Sequence, residues 1–482
     1  MGAGGGGLRC DRGIVNRFKS TAGKMQTDDT VAGRLGKFVS GISLASVPPE
    51  VVEKARACLL NAYGVGIGSN HLPYAPVARR AALDTDGEIA GGATIFGDGR
   101  KTTVSGATLA NGVLFHGRNQ EDFTWGSTHA GVVFIPLLTA LLESKKLPIE
   151  RLLPAVIAGY EVAVLLDRAY ANKTTPNGFR GTPLYGSIGA AAAVARLYEL
   201  SAVQTQAALA NAAGMAGGTL QSQAGGSDEW RYQVGVFGNV GLTAAQLAKA
   251  GSVSAPLAFE GRAGYVKAHA RTDCDAAALT AKLGAEWNIM DVFFKPYPLP
   301  AWNQTPVDLA LRVREKIAGK AVRHIEVRMS QYEVNYPGKN SKVPFDNDTS
   351  AKLSIAFTVA TTLAHGAPTF PVLLDYRNAK TTQMLEKIEL IGAPEVDRLC
   401  CVIKVDFENG EKLTETLQRS AKDYSFNCDQ VSAMVRRIGR ETKVPSEAFD
   451  RLDDFVRKLP AQAAIQEVVD SFALMPRDAK AE

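Results

Sequence analysis

General acid–base chemistry needs a group that can hold or give a proton near neutral pH, and an anionic substrate needs cations to hold it. The sequence offers such groups in four segments. The densest is Asn111–Glu143, NGVLFHGRNQEDFTWGSTHAGVVFIPLLTALLE, which places His116, Arg118, Asn119, Gln120, Glu121, Asp122, Thr124, Ser127, Thr128 and His129 close together. His129 titrates in the useful range without tuning, and Asp122 can orient it or serve as a base itself. The second segment, Gly178-Phe-Arg180-Gly-Thr182-Pro-Leu-Tyr185-Gly, and the third, Asp228-Glu229-Trp230-Arg231-Tyr232-Gln233-Val-Gly235, each precede an Ala-rich helical stretch. The fourth opens with Lys295-Pro-Tyr297-Pro and continues to Asn303-Gln304-Thr305. Arg118, Arg180, Arg231 and Lys295 are the candidate cations. Arginine holds carboxylates with paired donors, so this set suits a di- or tricarboxylate.

These segments must be positioned by helices. The first stretch reads as a helix ending near Phe115, a polar loop, and an apolar helix from Val132 that must be buried. Ser127 and Thr128 are suitable caps for it. His129, Ala130 and Gly131 would form its first turn, whose free N–H groups favour an anion. Further helices are expected at Thr30–Val39, from Ser46-Val-Pro-Pro to about Tyr63, and at Ala75–Asp84, Ile149–Ala169, Ser187–Leu197, Ala202–Gly217 and Gly241–Ala250. The glycines of GVGIGSN (64–70) follow a helix, so they read as a C-cap and close helix packing rather than a dinucleotide loop. Ala93–Phe96 and Thr102–Val104 flank a hairpin turn.

The texture changes near Met290, where FFKPYPLPAWNQTP is rich in proline and aromatics. A helix at Val307–Ile317, a strand at His324–Met329, helices at Ser350–Leu363 and Thr381–Ile388, and strands at Val402–Phe407 and Lys412–Thr416 around Asn409-Gly410 indicate an α+β unit. The expected organisation is a tail or upstream extension over 1–25, a helical domain over 26–290, a smaller α+β domain over 291–422, and C-terminal helices over 423–482 that return to the helical domain.

With 482 residues the chain is long enough for two domains, and its net charge of +5 is spread along it. No dense basic stripe with interleaved aromatics points to nucleic acid. No apolar run reaches the roughly 18 residues of a membrane span. Cys10, Cys58, Cys274, Cys400, Cys401 and Cys428 form no C-x-x-C pair, and no H-E-x-x-H occurs. Neither a metal site nor a disulfide framework is expected, and a reducing, cytoplasmic setting fits.

In this order, HGRNQEDFTWGSTHAGVVFIPLLTAL, GFRGTPLYGSIGAAAAVARL, RYQVGVFGNVGLTAAQLAKAG, APLAFEGRAGY and KPYPLPAWNQTPVDLAL resemble the MmgE/PrpD family from about residue 30 to 475. The resemblance implies a large all-helical domain, a smaller α+β lid domain, a homodimer, and catalysis at the domain interface without cofactor or metal. The family's chemistries are 2-methylcitrate dehydration, cis-aconitate decarboxylation and iminodisuccinate epimerisation. His129 falls on the family's loop histidine and Lys295 on its KPYP lysine. The usual D-x-D-D-T reads Asn119-Gln-Glu121-Asp122-Phe123, with Thr124 one position late. Arg180 replaces the histidine of G-F-H. Trp230 and Gln233 replace the lysine and histidine of K-x-x-H-x-G, Pro300 falls near a second family histidine, and Asn303-Gln304 occupies a T-H pair. The implied catalytic set is His129, Asp122 and Lys295. The expected binding set, chosen on side-chain chemistry rather than carried over, is Arg118, Asn119, Gln120, Thr124, Arg180, Arg231, Gln233, Tyr297, Asn303 and Gln304. A divergent subgroup is indicated, with three readings: a dehydratase-type lyase that includes the decarboxylase possibility, an epimerase or isomerase, and a non-catalytic carboxylate-binding homologue.

Overall fold

Helices build the larger part of the molecule: α1 (Val31–Gly41), α2 (Pro49–Ile67), α3 (Tyr74–Asp86), α4 (Val104–Gly117), α5 (Gly131–Lys145), α6 (Leu152–Thr174), α7 (Gly181–Leu197), α8 (Ala202–Met215), the short α9 (Gln221–Gly225) and α10 (Glu229–Lys249). The computed structural model describes residues 27–126 and 128–476, so the expected tail over 1–25 and the expected cap Ser127 lie outside the described residues. α5 is apolar on every side and buried from Gly131 to Leu142, and α6 is buried along most of its length. Both therefore run through the centre. The same core takes in Val431, Leu452 and Phe472 of the C-terminal helices Cys428–Thr442, Ser446–Lys458 and Ile465–Ala473.

α2 runs through Gly64 and Gly66 to Ile67, past the expected end. A Cβ at Gly64 would lie 2.3 Å from Val435 Cγ1, so that glycine allows two helices to touch rather than capping one. Pro48 takes the N-cap position, and the Ser46 hydroxyl bonds to the Ser43 carbonyl instead. The small hairpin forms as β1 (Ala93–Thr94) and β2 (Lys101–Thr102).

The smaller part is a mixed sheet of β3 (Val322–Met329), β4 (Ile388–Gly392), β5 (Cys401–Phe407) and β6 (Lys412–Leu417), in the order β4-β3-β5-β6. β4 pairs in parallel with β3, and the other pairs are antiparallel. Leu309 and Val313 of the helix Gln304–Ile317 and Val359 of the helix Ile355–His365 cover Ile325, Val327, Ile403 and Val405. The single helix expected at 350–363 is two, because Ser354 closes Asp348–Leu353 and caps Ile355–His365 through the Phe357 N–H. The protein is thus a large helical domain with a smaller α+β domain. The seam between them passes beside the polar loop: Phe123 and Phe293 exchange backbone hydrogen bonds at 2.8 Å and pack with Trp302, Leu399 and Tyr424.

Candidate active site

The loop between α4 and α5 is buried almost throughout, so its polar groups must find partners inside the protein. His116 sits in the last turn of α4 and is fully buried. Its Nε2 accepts from Arg180 Nη2 at 2.6 Å. The ring proton is therefore on Nδ1, which faces Glu121 Oε1 at 3.3 Å. Burial lowers His116 to about 4, against the pull of Glu121, so it is neutral at pH 7. Asn119 adopts a left-handed backbone, φ 56°, which asparagine tolerates. This turns its Oδ1 to accept from Lys295 Nζ at 3.1 Å. Lys295 also donates to Glu121 Oε1 at 2.6 Å, with both side chains fully buried. Burial alone would raise Glu121, but Lys295 and the two histidines hold it well below the usual carboxylate range. Its other oxygen, Oε2, has no hydrogen-bond partner among the described residues.

His129 lies just before α5. Its Nδ1 is 2.7 Å from the Asp122 carbonyl oxygen. A carbonyl can only accept, so the proton is on Nδ1 and Nε2 carries a lone pair. Nε2 has no bonded partner among the described residues, and His129 keeps 8% exposure. Burial first, then Lys295, pushes His129 well below its ordinary value, with Glu121 opposing. The result is a neutral imidazole aimed by a backbone carbonyl, with the Glu121 carboxylate 3.6 Å from its protonated nitrogen.

The start of α5 departs from expectation. The helix opens at Gly131, after Ala130 and without a side-chain cap. The Thr128 hydroxyl donates to Asp167 Oδ1 at 2.6 Å instead. The Gly131 N–H points to Asp122 Oδ2 at 3.4 Å, so the anion at this helix start is the chain's own Asp122. The same oxygen accepts from Tyr160 at 2.8 Å. Burial raises Asp122 to about 6. Asp122 thus steers His129 with its carbonyl, while its carboxylate turns toward Tyr160.

The other candidates divide. Arg180 joins the cluster: besides His116, its Nη1 donates to the Trp230 carbonyl at 2.7 Å and to Gln233 Oε1 at 3.0 Å. It forms no ion pair with a carboxylate among the described residues, and burial lowers it to about 10. Gln233 holds it in place. Arg118 points away; its Nη2 pairs with Glu441 Oε2 at 2.9 Å, and Glu441 also accepts from the Phe370 N–H. Arg231 pairs with Asp228 at 2.7 Å and stacks on Tyr74. Gln120 donates to the Pro296 carbonyl, and Thr124 donates to Asp167 at 2.6 Å. Tyr297 donates to Asp308. Gln304 ties the KPYPLP turn through the carbonyls of Tyr297, Leu299 and Pro300. These six side chains hold loops and domains together rather than lining the cluster. Asn303 is buried and accepts from Lys339 Nζ at 2.9 Å.

Sequence reasoning passed over Glu121, His116 and Lys339. Glu121 and Asp122 are neighbours whose side chains face different partners, and the family pattern's acid at position 121 was the available signal. His116 was visible only as part of a dense loop. Lys339 carried no sequence signal. A cleft of about 790 Å³ opens between Gly178, Thr219 and Leu220 of the helical domain and Gln331, Tyr332, Tyr336 and Pro337 of the smaller one. Arg180 follows the lining residue Gly178 by two positions.

Comparison with known proteins gives the family. The MmgE/PrpD N-terminal domain model matches residues 33–275, and the MmgE/PrpD C-terminal domain model matches residues 297–424. The cis-aconitate decarboxylase-like protein oryM of Aspergillus oryzae is 23% identical over 480 residues, covering 92% of this chain and 98% of its own. The cis-aconitate decarboxylase of Homo sapiens is 23% identical over 397 residues, covering 78% of this chain and 80% of its own. The chain belongs to the MmgE/PrpD family.

Proposed function

We propose that this MmgE/PrpD family member is a cofactor-independent lyase of dehydratase type, acting on a di- or tricarboxylate by removal of an alpha proton. The single observation that carries the reading is the state of His129: neutral, anchored through Nδ1, with Nε2 unpartnered among the described residues and with Lys295, Glu121 and Arg180 among its electrostatic neighbours. Nε2 takes the proton from the alpha carbon. The C–H electron pair passes into the adjacent carboxylate as an enediolate, which Lys295 and Arg180 stabilise. Glu121 stabilises the imidazolium that forms. The electrons then return to form the C=C bond as the beta hydroxyl takes a proton from a second acidic group and leaves as water; the imidazolium proton passes to solvent, from which that group is reprotonated.

The names of the matched relatives favour a second reading, decarboxylation, in which a C–C bond breaks, CO2 leaves and the carbanion is reprotonated. The replacement of a family lysine and histidine by Trp230 and Gln233 weighs against it. Epimerisation would use the same first step and end in reprotonation. A cytoplasmic location fits Cys58, Cys274, Cys400, Cys401 and Cys428, which are all free thiols. Among the described residues no helix is long and apolar enough to cross a membrane. The homodimer reading is supported by Val236 and Leu247, both exposed on α10, with exposed Val253 beyond its end; light scattering at micromolar concentration should give twice the chain mass.

The test is incubation in deuterated buffer, with chelator, of citrate, 2-methylcitrate, aconitate, malate, tartrate and aspartate-derived acids, followed by proton NMR. A new vinyl signal without CO2 is the expected result. CO2 release would select the second reading. Exchange without a new product would select epimerisation. Silence across the panel would count against a carboxylate lyase.

A further inference from the structure

The proposed reaction leaves the buried cation Lys339 without a task. Lys339 lies in the smaller domain, between the helices Gln331–Val334 and Asp348–Leu353. Only 1% of it is exposed. Its ammonium makes one hydrogen bond, to the neutral Asn303 Oδ1 at 2.9 Å, and no ion pair among the described residues. A buried amine without a carboxylate is a burden on the fold. Burial and the neighbouring Lys295 pull its proton affinity well below that of an ordinary lysine, and Glu333 opposes this. The Glu333 carboxylate is itself engaged by the Leu399 N–H at 2.9 Å and the Ser330 hydroxyl at 2.8 Å.

The backbone holds this amine firmly. The Lys339 N–H donates to the Tyr336 carbonyl, and its own carbonyl accepts from the Ile355 N–H, both at 3.0 Å. Gly338 has φ +82°, and a Cβ there would lie 2.8 Å from the Gln223 carbonyl oxygen of α9. Only glycine lets the loop press this closely on the helical domain. Tyr336 and Pro337, directly before this glycine, line the interdomain cleft opposite Gly178 and Thr219. Arg180 follows Gly178 by two positions, and Lys339 follows Pro337 by two. Arg180 and Lys339, neither in an ion pair among the described residues, are thus carried on segments that line opposite walls of one cleft, and Lys295 interacts electrostatically with both.

We propose that Lys339 is a substrate-binding residue that holds a second carboxylate, so that each domain supplies one cation and the site selects dicarboxylates over monocarboxylates. Asn303 is then the positioning residue that holds the ammonium until the substrate arrives. This rests on the reading of the cluster as a carboxylate site.

The test is calorimetry of succinate and butyrate binding to the wild-type chain, Lys339→Met and Lys339→Gln, with thermal melting of each. Glutamine keeps a donor for Asn303 without the charge. The wild type should bind succinate about tenfold or more tighter than butyrate, as a charge-assisted contact requires. Both variants should bring that ratio close to unity while binding butyrate as before, and Lys339→Met should melt no lower than the wild type. An unchanged ratio in folded variants would overturn the role of Lys339 alone. A lower melting temperature with an unchanged ratio would show a purely structural lysine. A wild type that binds neither acid would overturn the carboxylate reading itself.

Discussion

Two buried polar clusters grow from the loop between α4 and α5, and they are completed to different degrees. Around Asp167 every bond is made: Oδ1 accepts from Thr128, and Oδ2 accepts from Thr124 at 2.6 Å and from the Gly126 N–H at 3.0 Å. Around Glu121 the network is open. Among the described residues Glu121 Oε2 lacks a hydrogen-bond partner, His129 offers a bare Nε2, and Arg180 and Lys339 form no ion pair. Burial is the same in both, so burial does not separate structure from function here. Satisfaction distinguishes these two clusters: the closed one fixes a loop, whereas the open one, under the proposed function, keeps donors and acceptors for a substrate.

The difference can be broken from either side. The largest effect should come from His129→Ala, which removes the proposed base; turnover should fall about 10² to 10⁴-fold, with melting shifted by only a few degrees. Steady-state kinetics with a melting curve checks both. Asp167→Ala should do the reverse. It strands two hydroxyls and an N–H, so it should cost about 3 kcal/mol or more of stability in denaturant titration, while the soluble fraction keeps its rate per folded molecule.

The pH dependence should sharpen the contrast. His129 is pushed below 6.5 by burial, so it remains a competent base as pH falls through 6.5. The acid limb of kcat/KM should therefore lie below 6.5; a midpoint at or above it would argue against a buried neutral His129. For stability the sign follows from His116, about 4 in the fold against 6.5. Between those values the unfolded chain binds more protons, so acidification across that window destabilises the protein. Asp122, raised to about 6 from 3.8, acts oppositely: its contribution is full below 3.8 and fades as pH rises through 6. The smallest effect should be that of Tyr160→Phe, which removes one donor to Asp122 at 2.8 Å. About 1 kcal/mol of stability should go and turnover should hold. A large fall in turnover would transfer the base from His129 to Asp122.

The loop itself was legible because its polar density ends at an apolar run, and such a run has to be buried. The start of α5 was misplaced because Thr128 looks like a cap locally, while its actual partner, Asp167, lies on α6. Arg118 and Arg231 were placed in the site because an arginine reads the same whether or not an acid awaits it; Glu441 is 323 positions away in the chain. β4 was missed because IELIG is an edge strand of intermediate burial with no clear alternation. Lys339 could not be read from sequence at all, since only the fold buries it and withholds a counter-ion.

The central claim is that the Nε2 of His129 takes the alpha proton. It is tested most directly by following deuterium entry from solvent at the alpha carbon of a saturating substrate, in the wild type and in His129→Ala, by proton NMR. The account predicts exchange or elimination in the wild type and at least about a hundredfold loss of both in the variant, with the substrate still bound. Equal rates in the two proteins would contradict it.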